Sequence, residues 1–404
     1  MSVRLDDTTA AAVSNAISAE RFRQGSSAVG RVLTLVIVAD EATQADAMRA
    51  AAEAGREHPS RILVAIPRPG RGPARLDAEV SVGGTDGLGE VVELRLRGPL
   101  AHHVASVVLP LLVPDAPVVV WWPGAAPEVP SDDPVGRLGQ RRITDSAESG
   151  RPMKALEANR RGYRAGDTDL AWTRITPWRA LIASSLDQPF GAVTGAAVSA
   201  QRSSPSALLL AAWLQRNLGV PVLLHTSRGP GITGVTLTTE TGDITISRPD
   251  GRIARMTRPG FPPREAALHR RTTDGIIAEE LRRLDPDEIY GETLEELPHL
   301  AGWPSQGNHG HVRRTKGPSH QDGIDVVDGA DADADRAARA RATTPAARKP
   351  ASKRAAAART TATKPAATKK TPTKKATTKK ATTKKAPSTR AAKAPARRST
   401  GGRS

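Results

Sequence analysis

The side chains best equipped for recognition chemistry in this chain are concentrated between residues 121 and 188. Only 11 of the 404 residues are Phe, Trp or Tyr, and six of those are Trp. Four of the six tryptophans fall in or beside three polar blocks. The first holds Trp121 and Trp122, and the second holds Arg141, Arg142 and Asp145. The third, GDTDLAWTRITPWR, holds Asp167, Asp169, Trp172, Arg174, Trp178 and Arg179. Tryptophan and arginine together are the usual anchors of binding surfaces. A guanidinium fork can clamp a phosphate or a carboxylate, and a neighbouring aspartate can hold that fork in place. For any single tryptophan the alternative is a core position beside ordinary surface ion pairs. The combination of types favours a site for a partner or ligand.

What the block lacks is equally informative. No histidine occurs between residues 104 and 224, so no base–nucleophile pair is signalled there, and binding is favoured over catalysis. No catalytic residue, metal ligand set or cofactor is assigned. Gly229-Pro-Gly-Ile-Thr-Gly234 matches a dinucleotide fingerprint but leads into VTLTTE, a strand-like run, and is read as a turn. There is no G-x-x-x-x-G-K-[ST] loop, no G-x-S-x-G elbow and no H-E-x-x-H pair. His58 is read as a turn residue, and His102-His103 face different directions of one helix. His309, His311 and His320 fall in a Gly/Pro linker without carboxylate or thiolate partners. Cysteine is absent, which excludes disulfides and thiolate chemistry.

The net charge of +17 suggests a nucleic-acid binder, but its distribution is uneven. Residues 336–404 carry 22 Lys and Arg and no acidic residue, leaving 37 basic and 42 acidic residues, a net of −5, in residues 1–335. The basic excess is therefore a property of the tail, where Lys369, Lys370, Lys374, Lys375, Lys379, Lys380, Lys384 and Lys385 recur as pairs every five residues. With almost no large apolar side chain, this segment is expected to be a disordered coil of roughly 45 Å reach. Weak, non-specific nucleic-acid or polyanion binding is its sharper reading, and a solubilising segment folded on the neighbouring Asp run is the other. The tail has no aromatic residue, so base stacking is not expected. No run is long and apolar enough for a membrane span, and the N-terminus lacks a secretory pattern; the expected location is cytoplasmic.

The elements that must carry the block alternate in type. Helix 8–24, strand 31–39, helix 43–56 and strand 61–66 form a βαβ-like beginning, followed by a hairpin at 76–82 and 90–96. A helix at 100–112 and a buried strand at 117–122 complete a mixed-sheet α/β domain over 1–125. Residues 127–149 read as loop, with helices at 152–164, 177–187 (Thr176 as cap) and 205–218. Four strands at 220–225, 232–239, 243–248 and 252–257 fit an antiparallel meander, and helices are expected at 263–284 and 287–297. The fold class is thus α/β. The mixed-sheet domain is followed at 126–300 by a Trp/Arg-rich linker and an α+β domain, at 301–335 by an acidic linker, and at 336–404 by the basic tail.

In these same blocks the chain resembles the OpcA family of glucose-6-phosphate dehydrogenase assembly proteins. The resembling pieces are GRVLTLVIVAD (30–40), REHPSRILV (56–64), LLVPDAPVVVWWPG (111–124), DPVGRLGQRRITDS (133–146) and GDTDLAWTRITPWRALIASSLDQ (166–188). Together they span most of residues 1–300. The resemblance implies a partner, glucose-6-phosphate dehydrogenase, whose active oligomer the protein favours as a non-catalytic activator serving NADPH supply in the oxidative pentose phosphate pathway. It supplies no catalytic residues. The cyanobacterial branch is associated with cysteine-based redox control, which this cysteine-free chain cannot have. The Lys/Ala/Thr tail lies outside the resemblance and is similar to actinobacterial histone-like tails. Two alternatives remain: an enzyme or sensor holding a sugar phosphate or nucleotide in the Arg/Trp/Asp block, and a nucleic-acid protein acting through its tail.

Overall fold

Aliphatic runs with no polar alternation make strands covered on both faces, and the chain builds its first sheet from them. The computed structural model describes residues 2–23, 33–57, 59–83, 89–187, 191–301 and 303. The first sheet draws on β1 (Ser2–Leu5), β2 (Leu33–Val38), β3 (Ser60–Arg68), β4 (Arg75–Val82), β5 (Glu90–Arg97), β6 (Val118–Trp121), β7 (Arg141–Thr144) and β8 (Asp167–Asp169). Their order is β1-β4-β5-β3-β2-β6-β7-β8. From β5 to β8 neighbouring strands are parallel, while β4 and β1 add an antiparallel edge. One face packs on α1 (Ala10–Arg23) and α3 (Val104–Val108), through Val13, Ile17, Val104 and Val108. The other packs on α2 (Gln44–Glu57), whose Ala47, Ala50, Ala51 and Ala54 permit a close approach to Leu35 and Ile37.

The chain continues with α4 (Pro152–Gly162), α5 (Leu170–Thr173), α6 (Thr176–Ser185), β9 (Val193–Ala200) and α7 (Pro205–Leu218). Then come β10 (Val222–Thr226), β11 (Ile232–Thr239), β12 (Gly242–Ser247), β13 (Ile253–Arg258), β14 (Phe261–Ala267), α8 (Thr273–Leu281) and α9 (Glu288–Glu296). The second sheet runs β10-β9-β11-β12-β13-β14. Its Val198, Val235, Leu237, Ile244 and Ile246 share a core with α7, α6 and α9. Helix α7 shows both termination signals of its sequence: the Ser204 hydroxyl accepts from the Ala207 amide at 3.3 Å, and Gly219 closes it in the left-handed region at φ 66°.

The α/β class and most element positions agree with expectation, with several corrections. Expected helix 100–112 is three short pieces, because Pro99 and Pro110 each start a 3₁₀ turn rather than continue a helix. Residues 127–149 contain β7, and β1, β8, β9 and β14 are further strands. Expected helix 263–284 is β14 followed by α8; Pro262 and Pro263 are tolerated because β14 is an edge strand. The meander is β11 to β14, whereas β10 lies parallel to β9 across a helical crossover through α7. Thr176 lies in the first turn of α6, and Ile175 holds the cap position. Finally, β7, β8 and α8 come from beyond residue 125 yet complete the first sheet and its helical cover, with Ile276 and Ile277 packed beside α2 residues. The expected boundary at 125 therefore does not separate this layer from the later part of the chain.

Candidate functional site

The block identified in the sequence lies where the first sheet ends and the core of the second sheet begins. Register decides which side chains meet. In the β7–β8 pair Arg142 stands beside Asp167 and Thr144 beside Asp169, two residues apart and so on one face. The Arg142 guanidinium donates through Nε to Asp167 and through its two terminal nitrogens to the carbonyls of Gly139 (2.9 Å) and Ala165 (2.6 Å). Asp167 also accepts the Arg164 amide at 2.7 Å; burial still pushes its carboxyl upward, against the opposing effect of Arg142. Gly166 is required here: it sits at φ 92°, and a Cβ would come 2.3 Å from the Gln140 carbonyl.

Asp169 is the centre of the arrangement and has no exposed surface (0%). One oxygen accepts from the Ala171 amide (2.8 Å) and Ser146 Oγ (2.9 Å). The other accepts from Thr144 Oγ1 (2.7 Å), the Ser146 amide (2.9 Å) and Asn159 Nδ2 (2.7 Å). Five donors favour the carboxylate form. Desolvation and the nearby Asp145 charge outweigh them and raise its pKa from 3.8 to about 6. Asp145 in turn receives Arg174 in a bidentate pair at 2.6 and 2.7 Å. Beside this network lies a cavity of about 340 Å³ whose wall includes Thr144, Asp145, Ser146, Arg151, Lys154 and Asn159.

On the opposite face of β7, Arg141 donates to Glu280 of α8 and to the Asp285 carbonyl at 2.6 Å. Trp172 donates from Nε1 to Asp287 at 2.7 Å, and the Arg179 guanidinium lies 3.7 Å over the Trp172 ring. The four tryptophans are all buried but go to three separate cores. Trp121 packs with α2 and α8, Trp122 points to the other face with Val120 and Val135, and Trp172 and Trp178 join the core of the second sheet. Adjacent strand residues face opposite ways, so Trp121 and Trp122 do not form one aromatic surface. Of the eleven residues singled out, Arg174 and Arg179 are half-buried and the other nine are buried. Asn159, Glu280, Asp287 and Arg248 are further members that sequence reasoning missed. Only Asp287 carried a local sign, as the cap of α9, where it accepts the Tyr290 amide at 3.0 Å.

The parallel order reverses between β2 and β6, the place where open α/β sheets commonly take a ligand. Here the position at the start of α2 is filled by the protein itself. The Asp40 carboxylate accepts from the amides of Ala42 (3.1 Å) and Thr43 (2.8 Å) and from Thr43 Oγ1 (2.7 Å), and these bonds hold its pKa down. A pyrophosphate would compete with that side chain for the same donors, and no glycine-rich loop gives it room. The Gly229 motif runs into β11, with Gly231 at φ 62° just before the strand. His102 and His103 are exposed, and no group of three potential metal ligands occurs among the described residues. His58, His309, His311, His320 and the eight tail lysines lie outside the described residues.

Comparison with known proteins agrees with the family resemblance of the sequence. A family model for the N-terminal domain of the glucose-6-phosphate dehydrogenase subunit matches residues 51–161. A second model, for the C-terminal domain of that same subunit, matches residues 165–294. No curated protein matches the chain. Among solved structures, the chain is similar to KijD10, a 3-ketoreductase from Actinomadura kijaniata, at 11% identity and a TM-score of 0.39, covering 66% of this chain and 94% of that one. An oxidoreductase from Sinorhizobium meliloti gives 9% identity and a TM-score of 0.38, covering 67% and 96%. Likenesses at this level carry no argument about chemistry. The two family matches together span more than half of the chain, so the protein belongs to the OpcA family of glucose-6-phosphate dehydrogenase assembly proteins.

Proposed function

We propose that this protein is a non-catalytic factor that associates with glucose-6-phosphate dehydrogenase and raises the population of its active oligomer. The observation that carries this reading is the pair of matched assembly-protein domains across 51–161 and 165–294. Such a factor acts through its differential affinity for two states of the enzyme; equal affinity for both would change nothing. A non-catalytic role is supported by the chemistry of the block. Its carboxylates and guanidinium groups pair with one another and with backbone groups, and the start of α2 holds its own aspartate.

Within the block, the half-buried Arg174 and Arg179 are the groups offered to the dehydrogenase. Asp145 holds Arg174 in a bidentate pair and the Trp172 ring supports Arg179, while the buried Trp121, Trp122, Arg141, Arg142, Asp167, Asp169 and Trp178 stabilise the elements around them. The protein works in the cytoplasm, where its partner's substrate is consumed. The basic tail adds weak polyanion association that is separate from activation. The test is steady-state kinetics of the cognate dehydrogenase titrated with the wild-type protein and with Arg179→Glu. The wild type changes KM or kcat saturably, and the variant requires a higher concentration for the same effect. No change in either constant at saturating protein overturns the reading.

A further inference from the structure

A second cavity, adjoining the Asp169 network through the Arg174–Asp145 pair, is built around the start of α7. The loop of residues 201–204 leaves β9 at its carboxyl end and enters α7, which returns to the parallel strand β10. Two hydrogen bonds fix this loop to the turn before β11: Gln201 donates its amide to the Gly231 carbonyl (2.8 Å), and the Gly231 amide donates to Gln201 Oε1 (3.1 Å). Ser203 takes a left-handed conformation (φ 57°) and turns the chain into the helix. The positive end of a 14-residue helix thus borders a cavity of about 290 Å³.

The remaining walls carry Arg174, Arg202, Arg248, Arg270 and Arg271, against one lining carboxylate, Glu148. Arg174 is paired with Asp145 and Arg271 with Glu279. Arg202, Arg248 and Arg270 form no ion pair among the described residues. Arg248 is the decisive one, being only 5% exposed. Its terminal nitrogens donate to the carbonyls of Leu268 (2.6 Å) and Ile232 (2.8 Å), its guanidinium lies 4.8 Å over Trp178, and its Nε has no hydrogen-bond partner. A buried guanidinium with no paired carboxylate is unfavourable. Burial, and then the like charge of Arg270, press against its protonated form, while Asp250 opposes them.

We propose that this cavity is a binding site for the phosphate group of a small phosphate monoester, held by Arg248, Arg270 and Arg202 at the start of α7. A dianion would be held by the exposed guanidinium groups of Arg202 and Arg270 and would offset the buried charge of Arg248 and the dipole of α7, whose first amides are taken by Ser204 or missing at Pro205. The volume lies at the lower end of ligand pockets, which fits a monosaccharide-sized body and excludes a dinucleotide. The cavity shares Arg174 with the surface proposed for the dehydrogenase, but phosphate binding can be tested on the protein alone, so its failure is distinguishable from failure of that reading.

Full-length protein is titrated with inorganic phosphate, glucose 6-phosphate and glucose at constant ionic strength, by calorimetry and by tryptophan fluorescence, to which Trp178 reports. Both phosphates are expected to bind saturably at one site, the ester more tightly than the inorganic ion, with no binding of glucose. Arg270→Glu and Arg202→Glu, both at exposed positions in chains that keep the same tail, should each weaken binding about tenfold or more. Arg248→Met should do the same while retaining the wild-type circular dichroism spectrum. Phosphate binding unaffected by the two exposed variants would assign the ion to the tail and overturn the proposal. Absence of saturable binding in the wild type would also overturn it and leave Arg248 as a staple between the carbonyls of Leu268 and Ile232.

Discussion

Replacing Asp169 with asparagine puts the energetics of the central network to a quantitative test. The substitution preserves shape but exchanges one acceptor oxygen for an NH₂ group. Whichever oxygen is replaced, a backbone amide is left facing a donor: Ala171 on one side or Ser146 on the other. Leaving one buried amide unsatisfied costs about 1–3 kcal/mol at every pH. The second effect depends on pH. Asp169 titrates near 3.8 unfolded and at about 6 folded, so between those values the native state binds more protons than the unfolded chain. Stability from this group is therefore fully present below pH 3.8 and is lost as pH rises through about 6. At about 1.36 kcal/mol per unit, the loss totals about 3 kcal/mol. The asparagine variant has no proton to lose at this position. Denaturant unfolding of both proteins from about pH 4.5 to 7.5, followed by circular dichroism, cancels the shared contributions of Asp167 and Glu280. The wild-type advantage should shrink by about 2 kcal/mol between about pH 4.5 and 7 and then stay level. A difference that is constant across the range would refute the claim that burial opposes ionisation of this carboxylate.

Other expectations concern separate parts of the fold. Ser204→Ala removes the cap of α7 and should lower stability by about 1 kcal/mol, read as a fall in Tm; an unchanged Tm would show the cap to be dispensable. Trp172→Phe removes the 2.7 Å bond to Asp287 and weakens the contact with Arg179, for a loss of about 1.5–3 kcal/mol in denaturant unfolding; wild-type stability would contradict the buried bond. Truncation after Asp335 should leave the unfolding of the remaining chain unaltered and abolish salt-sensitive DNA association, whose log–log slope is about −0.9 per phosphate neutralised; equal affinity without the tail would place that binding elsewhere.

Much of the fold was legible because local chemistry and tertiary role coincided. RVLTLVIVA and PVVVWW declared themselves as strands covered on both faces, and Ser204-Pro205 with Gly219 bracketed α7. Strands β7 and β8 were not legible. Arg141-Arg142-Ile143-Thr144 and Asp167-Thr168-Asp169 are polar, and they enter a buried sheet only because their charges pair across the register. That pairing is between segments 25 residues apart, beyond the reach of any local pattern. The same cause hid Glu280, whose partner Arg141 lies 139 positions away. The residue types of the block supply several separate polar pairs, among them Arg142–Asp167 and Arg174–Asp145. Their burial was not legible, because a tryptophan or arginine in a polar stretch gives no local sign of which face the sheet will present. Arg248 had no local signal, since its partners are the carbonyls of Leu268 and Ile232, 20 and 16 positions away.

The most direct test of the account is the mass distribution of the cognate dehydrogenase, measured by analytical ultracentrifugation with and without this protein at matched concentrations. Assembly activity predicts a complex containing both chains and a shift of the dehydrogenase toward its larger, active oligomer, unchanged when the tail after residue 335 is removed. Independent sedimentation of the two proteins, with the dehydrogenase distribution unaltered at saturating concentration, would contradict it.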